Sequence, residues 1–122
     1  MNLQARAIQA LRDQLFFCNG LDATVTRAGN VALVTKVVVV KRKTQDADLS
    51  SGATYVDTVD ILFDGRDDYS PVVGDLVEIF DHETVEGEIA STSYIVKQIQ
   101  KELWRWDDPY KIVRRVHVQR RS

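Results

Sequence analysis

Cysteine and histidine are both scarce in this sequence, and each scarcity removes a class of function. One cysteine, Cys18, stands among 122 residues. It cannot form an internal disulfide or a cysteine-based zinc site, and it is expected to be a small buried hydrophobe in a reducing cytosol. The two histidines, His82 and His117, fall short of the three or four converging ligands that zinc requires. His82, beside Asp81 and Glu83, is expected in a solvated acidic loop. His117 alternates with valines and is expected on a wet or interfacial face. No Gly-x-Ser-x-Gly elbow occurs, and Ser50-Ser51-Gly52-Ala53-Thr54 lacks the lysine and spacing of a phosphate-binding loop. The adjacent pairs Asp67-Asp68 and Asp107-Asp108 point apart on an extended chain. The expectation is a protein that is not an enzyme, with no cofactor and no metal.

Long apolar runs are missing too. No stretch approaches the ~20 residues that span a bilayer, so no membrane partner is expected. The apolar positions of residues 1–14 are spaced rather than contiguous, unlike a secretory signal. The chain is therefore read as soluble and retained where it is made.

What remains reads as one domain over residues 1–122, a length that suits a single core without a metal or disulfide staple. Leu3, Ala7, Ile8, Leu11 and Leu15 recur at helical spacing, which predicts a helix over 3–17 with that stripe packed inward. Asn2 is its N-cap, and Asn19-Gly20 should stop it with a left-handed residue. Residues 22–121 read as β-structure. A hairpin is expected at Gly29-Asn30. Val37–Val40, apolar on both faces, should lie centrally or in an interface. Residues 41–54 read as a long polar loop of the length that is commonly functional. Tyr55, Val59, Ile61 and Phe63 share one strand parity, and Asp60, Leu62 and Asp64 the other. Leu76 and Ile79 are expected in the core, and Asp81–Ser91 as an acidic loop or loose hairpin. In the last strand Ile112, Val116 and Val118 oppose Arg115, His117 and Gln119. The fold class predicted is mainly β, a small β-barrel or sandwich of about six to seven strands with one N-terminal α-helix.

Charge is nearly balanced overall, at −2, but unevenly distributed. Asp57 to Glu88 holds eleven acids against Arg66 alone, a local charge of about −10, which leaves about +8 for the rest. Bases gather at Lys41, Arg42 and Lys43, and at Lys111, Arg114, Arg115, Arg120 and Arg121. Such a chain is either self-complementary between copies or balanced within one monomer. A specific nucleic-acid binder would be more basic and would interleave its aromatics with the bases.

The closing segment, Trp104-Arg105-Trp106-Asp107-Asp108-Pro109-Tyr110 followed by a basic strand, places both indoles on one face of a strand that proline then breaks. Trp104, Trp106, Tyr110, Arg114 and Arg115 are the candidate core or subunit anchors. Three features occur here in order: the helix Leu3–Leu15, the strand start Gly74-Asp75-Leu76-Val77-Glu78, and the Trp-x-Trp-x-Asp-Pro-Tyr segment. Together with Val25–Val37 as an arginine-glycine hairpin, they resemble the head-tail joining (head-closure or connector) proteins of tailed bacteriophages. The resemblance implies a structural virion protein, made in the host cytoplasm, that forms a homo-oligomeric ring at the head–tail interface. It implies portal or adaptor and tail proteins as partners. The 41–54 loop would then reach into the channel, with Lys41, Arg42 and Lys43 making non-specific contact with packaged DNA. The alternative is a small β-barrel module that binds nucleic acid or a host protein.

Overall fold

The computed structural model describes residues 2–45 and 55–121, with the side chains of 42–45 and 55–57 left aside. The helix α1 (Leu3–Asn19) is followed by β1 (Leu21–Arg27), β2 (Asn30–Gln45), β3 (Tyr55–Asp64), β4 (Leu76–Glu83), β5 (Ile89–Val96), β6 (Trp104–Trp106) and β7 (Val113–Arg120). The chain is mainly β. Six antiparallel strands, in the order β3-β2-β1-β4-β5-β7, close into a barrel because β7 pairs back onto β3. Closure removes the free edges an open sheet would expose. β6 follows β5 along the same edge of β7: Val118 pairs with Val96, and Val116 with Trp104.

Alternating residues fill the barrel. Val25, Val37, Ile61, Phe63, Val77, Ile79 and Val116 are all fully buried there. Val77 and Ile79, two apart, share the inward parity of β4, so Leu76 is only half-buried, contrary to the core position expected for it. The valine run of β2 serves two clusters. Val37 and Val39 face the barrel interior, while Val38 and Val40 join Leu62, Ile112 and Val113 beneath the helix.

Asn2 caps α1 as its sequence requires, its side-chain oxygen accepting from the Ala5 N–H at 2.7 Å. The buried face is not the predicted stripe. Ala5, Arg12 and Phe16 are buried with Ile8 and Leu15 alongside, whereas Leu3 is 82% exposed and Leu11 and Phe17 also lie outward. The helix has two apolar faces. The one that can place the Arg12 guanidinium 3.8 Å from Asp64 faces the barrel. Cys18 is exposed, not buried, because it lies on the outward face. Gly20 is extended (φ −72°) rather than left-handed. A Cβ there would come within 2.2 Å of the Phe16 carbonyl oxygen, so it is close approach that calls for glycine. The first hairpin turns on Ala28-Gly29, one residue earlier than expected, with both residues at positive φ.

Asp75 anchors the β3–β4 connector. Its carboxylate, 1% exposed, takes a bidentate bond from Arg27 at 2.8 Å, a bond from the Tyr69 hydroxyl at 2.8 Å and one from the Val72 N–H at 3.0 Å. Burial works against its charged form, but the bonds from Arg27, Tyr69 and Val72 outweigh it and hold the carboxyl below its ordinary value. Asp64 is held down in the same way, burial being outweighed by Arg66 and Arg12. A depressed folded value contributes stability that is complete above the unfolded carboxylate value, about 4, and is lost as pH falls through the folded value. Asp67 acts in the opposite sense, since burial raises it. The urea midpoint should therefore fall between about pH 4 and pH 2, and Asp75→Asn should flatten that decline. An unchanged slope in the variant refutes Asp75 as a source of acid sensitivity.

Candidate functional site

The predicted loop at 41–54 is in part a strand. β2 and β3 stay paired from Val37↔Phe63 out to Gln45↔Tyr55, so Lys41, Arg42 and Lys43 occupy strand positions opposite Val59, Thr58 and Asp57. Residues 46–54 lie outside the described residues. β1 stops pairing with β2 at Val37, and β7 stops pairing with β3 at Val59. From Lys41 outward the ribbon is therefore two-stranded and projects about 15 Å from the rim at roughly 3.4 Å per residue. The Lys41 side chain is exposed.

The tryptophan segment closes the opposite end of the barrel. Trp104 and Trp106 share one face of β6, with ring centres 5.4 Å apart and edge-to-face. The Arg114 guanidinium lies between them, its central carbon 4.8 and 4.7 Å from the two rings. This arrangement follows from pairing: Trp106 stands opposite Arg114 and Trp104 opposite Val116, so the indoles flank an inward-facing arginine. Arg114 is 8% exposed. Its Nε lacks a hydrogen-bond partner, and one terminal nitrogen donates to the Asp67 carbonyl at 3.4 Å. Burial lowers its pKa against the opposing pull of Asp67, Tyr69 and Asp68. The indole faces supply part of the environment that water would otherwise provide.

On the outer face of β7, where a wet or interfacial histidine was expected, His117 is enclosed in a carboxylate network. His117 is 2% exposed, with Nδ1 2.8 Å from Asp60 and Nε2 2.7 Å from Glu102. Both contacts are hydrogen bonds when both ring nitrogens carry hydrogen. Arg115 donates to Asp60 at 2.9 Å and to Asp107 at 2.7 Å. Burial opposes the Arg115 charge, but these two carboxylates raise its pKa regardless. The β5–β6 connector covers this face: the Leu103 carbonyl accepts from the His117 N–H, and Glu102 comes with it. Alternation assigned His117 to the outside of the barrel correctly. What it could not show is that a later loop covers that side.

Tyr110 ties the closing segment to the helix, donating to Gln4 at 3.0 Å. Asp107 and Asp108 do point apart. Asp107 reaches Arg115, and Asp108 accepts from the backbone N–H groups of Tyr110, Ile112 and Val113. Thus Trp104, Trp106 and Arg114 form one cluster, Tyr110 and Arg115 two further links, and Lys41 belongs to a separate ribbon. Glu102 and Arg27 were not singled out from sequence; Asp60 entered only as a member of one strand parity and Asp75 only as part of the Gly74–Glu78 strand start. The available signal was an aspartate between Val59 and Ile61 in a strand, a residue type depleted there.

His82 is exposed and 2.7 Å from Asp81 in the β4–β5 hairpin. Among the described residues, no three histidine, cysteine or acidic side chains group as a metal would require. No helix among them is long and apolar enough to cross a membrane. A groove of about 650 Å³ beside α1 is lined by Phe17, Cys18, Thr35, Lys36 and Arg66, and neither histidine lines it. Comparison with protein-family models and with curated proteins finds no match to this chain.

Proposed function

We propose that this protein is a non-enzymatic, ring-forming component of a tailed-phage head–tail connector. In this reading it closes the DNA channel beneath the portal and presents a docking surface for tail proteins. One observation carries the proposal: a ribbon projects about 15 Å from a closed barrel and bears Lys41-Arg42-Lys43 in succession. Successive bases on a projecting strand pair suit a sequence-independent hold on phosphates. The barrel supplies a stiff wall, and its second apolar helix face, with Leu3, Leu11 and Phe17 outward, offers surface for neighbouring subunits.

Imaging of purified phage particles or portal complexes tests this reading. Density for a ring of this barrel between portal and tail is the expected result. Absence of the chain from mature particles overturns it. The same ribbon also fits a monomeric nucleic-acid-binding module. That reading requires an isolated chain whose DNA affinity falls steeply with salt and that forms no ring.

A further inference from the structure

The β5–β6 connector holds its shape with little help from its own residues. Ile99 and Glu102 exchange both backbone hydrogen bonds, at 2.8 and 2.9 Å, around Gln100-Lys101. Both central residues have positive φ, 50° and 68°. A tight turn of this kind favours Asn-Gly, because most L side chains adopt that region rarely. Gln-Lys meets neither preference, so the turn persists only where contacts outside it impose it. On either side of the turn the connector is tied to one residue of β7. The His117 N–H donates to the Leu103 carbonyl at 3.2 Å, and the His117 carbonyl accepts from the Lys97 N–H at 3.1 Å. The third tie is the side chain of the same residue, whose Nε2 meets Glu102 at 2.7 Å.

That third tie depends on a proton. A carboxylate only accepts hydrogen bonds, and a neutral imidazole has one donor nitrogen and one acceptor. The His117 ring lies between two carboxylates, Asp60 at 2.8 Å from Nδ1 and Glu102 at 2.7 Å from Nε2. While both acids are ionised, it bonds both only as imidazolium. The two partners are not equivalent. Asp60, on β3, is fully buried, and its other oxygen accepts from Arg115 at 2.9 Å. Glu102 is 42% exposed and can turn to water. A ring with a single hydrogen therefore keeps it on Nδ1 for Asp60 and presents the Nε2 lone pair to Glu102, which has no hydrogen to give. Among the described residues, the other charged groups at this site are Asp107, bonded to Arg115 at 2.7 Å, and Arg105, 3.8 Å from Glu102. Lys97 spends its amine on Gln119 at 3.2 Å.

We propose that residues 97–103 form a proton-locked strap on the barrel wall. His117 as imidazolium fastens Glu102, and with it the turn at Gln100-Lys101; loss of the Nε2 hydrogen releases them. The bonded species is the more protonated one, so the strap is closed toward the acid end of the histidine range, about pH 5 to 8, and loosens toward the alkaline end. Loosening admits water to the Asp60–Arg115 pair beneath. The device goes beyond the connector reading and does not depend on it.

Two readouts on the full chain test it. NMR of the His117 ring nitrogens should show hydrogen on both at about pH 5.5 and on Nδ1 alone at about pH 8.5. Hydrogen exchange of a peptide covering 97–103 is read as protection, which removes the intrinsic pH dependence of exchange. That protection should fall about ten-fold over the same interval, while a peptide from the β1–β2 hairpin keeps its own. Glu102→Gln supplies an amide that donates to a neutral ring and accepts from a charged one, so its strap should stay protected at both pH values. Glu102→Ala removes the acceptor and should leave the strap about ten-fold less protected than the acid-pH wild type at both. Position 102 is part-exposed, so both variants should keep the wild-type circular dichroism. A ring that holds one protonation state throughout overturns the proposal. So does a wild-type strap whose protection is unchanged when the ring loses its proton, or a Glu102→Gln strap that keeps the wild-type pH dependence. Parallel loss of protection in the β1–β2 peptide means global opening rather than strap release, and overturns it equally.

Discussion

Asp60→Ala should lower the unfolding free energy by about 3–5 kcal/mol, the range for removing one partner of a buried ion pair. Asp60 is fully buried and faces both Arg115 and His117. Its loss leaves a guanidinium and an imidazole without the carboxylate between them, at a site that the β5–β6 connector covers. In a chain of this size each kcal/mol moves the melting temperature by about 3–5 °C, so a fall of roughly 10–25 °C is expected. Thermal unfolding followed by circular dichroism measures it. Asp60→Asn keeps an acceptor and the side-chain volume and should retain part of the stability. A loss under about 1 kcal/mol for the alanine variant would mean that Asp107 and Glu102 alone satisfy Arg115 and His117, and the central place given to Asp60 would be wrong.

Trp104→Ala should cost about 3 kcal/mol, while Trp106→Ala should cost nearer 1 kcal/mol. The two indoles look equivalent in sequence but differ in what lies behind them. Trp104 packs against the barrel core, whereas Trp106 contacts Arg114 and Trp104 without joining that core. Removing Trp104 opens the end of the barrel and admits water to Val116 and to a buried arginine. Removing Trp106 takes one face of the cation–π pair and leaves the other. Urea midpoints of the two variants decide it. Equal losses would show that Arg114 sheathing, common to both indoles, outweighs packing on the core.

Much of this architecture follows from short-range pattern. Period-two alternation in β3 and β7 separates interior from exterior, and the doubly apolar run Val37–Val40 marks the strand that lies between two clusters. Asn2 fixes where the helix begins. The aromatic and proline positions near the C terminus fix a short strand and its break. Each of these is decided by neighbours a few residues away, which is why a linear reading reaches them.

Pairings across long sequence separations could not be read in that way. Which apolar face of α1 turns inward depended on distant partners: Ile8, Leu15 and Phe16 meet Leu62, Ile112 and Val113, and Arg12 comes within 3.8 Å of Asp64, 52 positions away. Whether Lys41–Lys43 lay in a loop or a strand depended on partners in β3. His117 is buried because the connector before β6 folds over it. Above all, the acidic and basic stretches were equally compatible with cancellation inside one monomer or with complementarity between copies. Composition left both open, and the barrel decides part of it: its buried aspartates pair with arginines across long sequence separations, and Arg120 stands opposite Tyr94 on β5, beside the acidic β4–β5 hairpin.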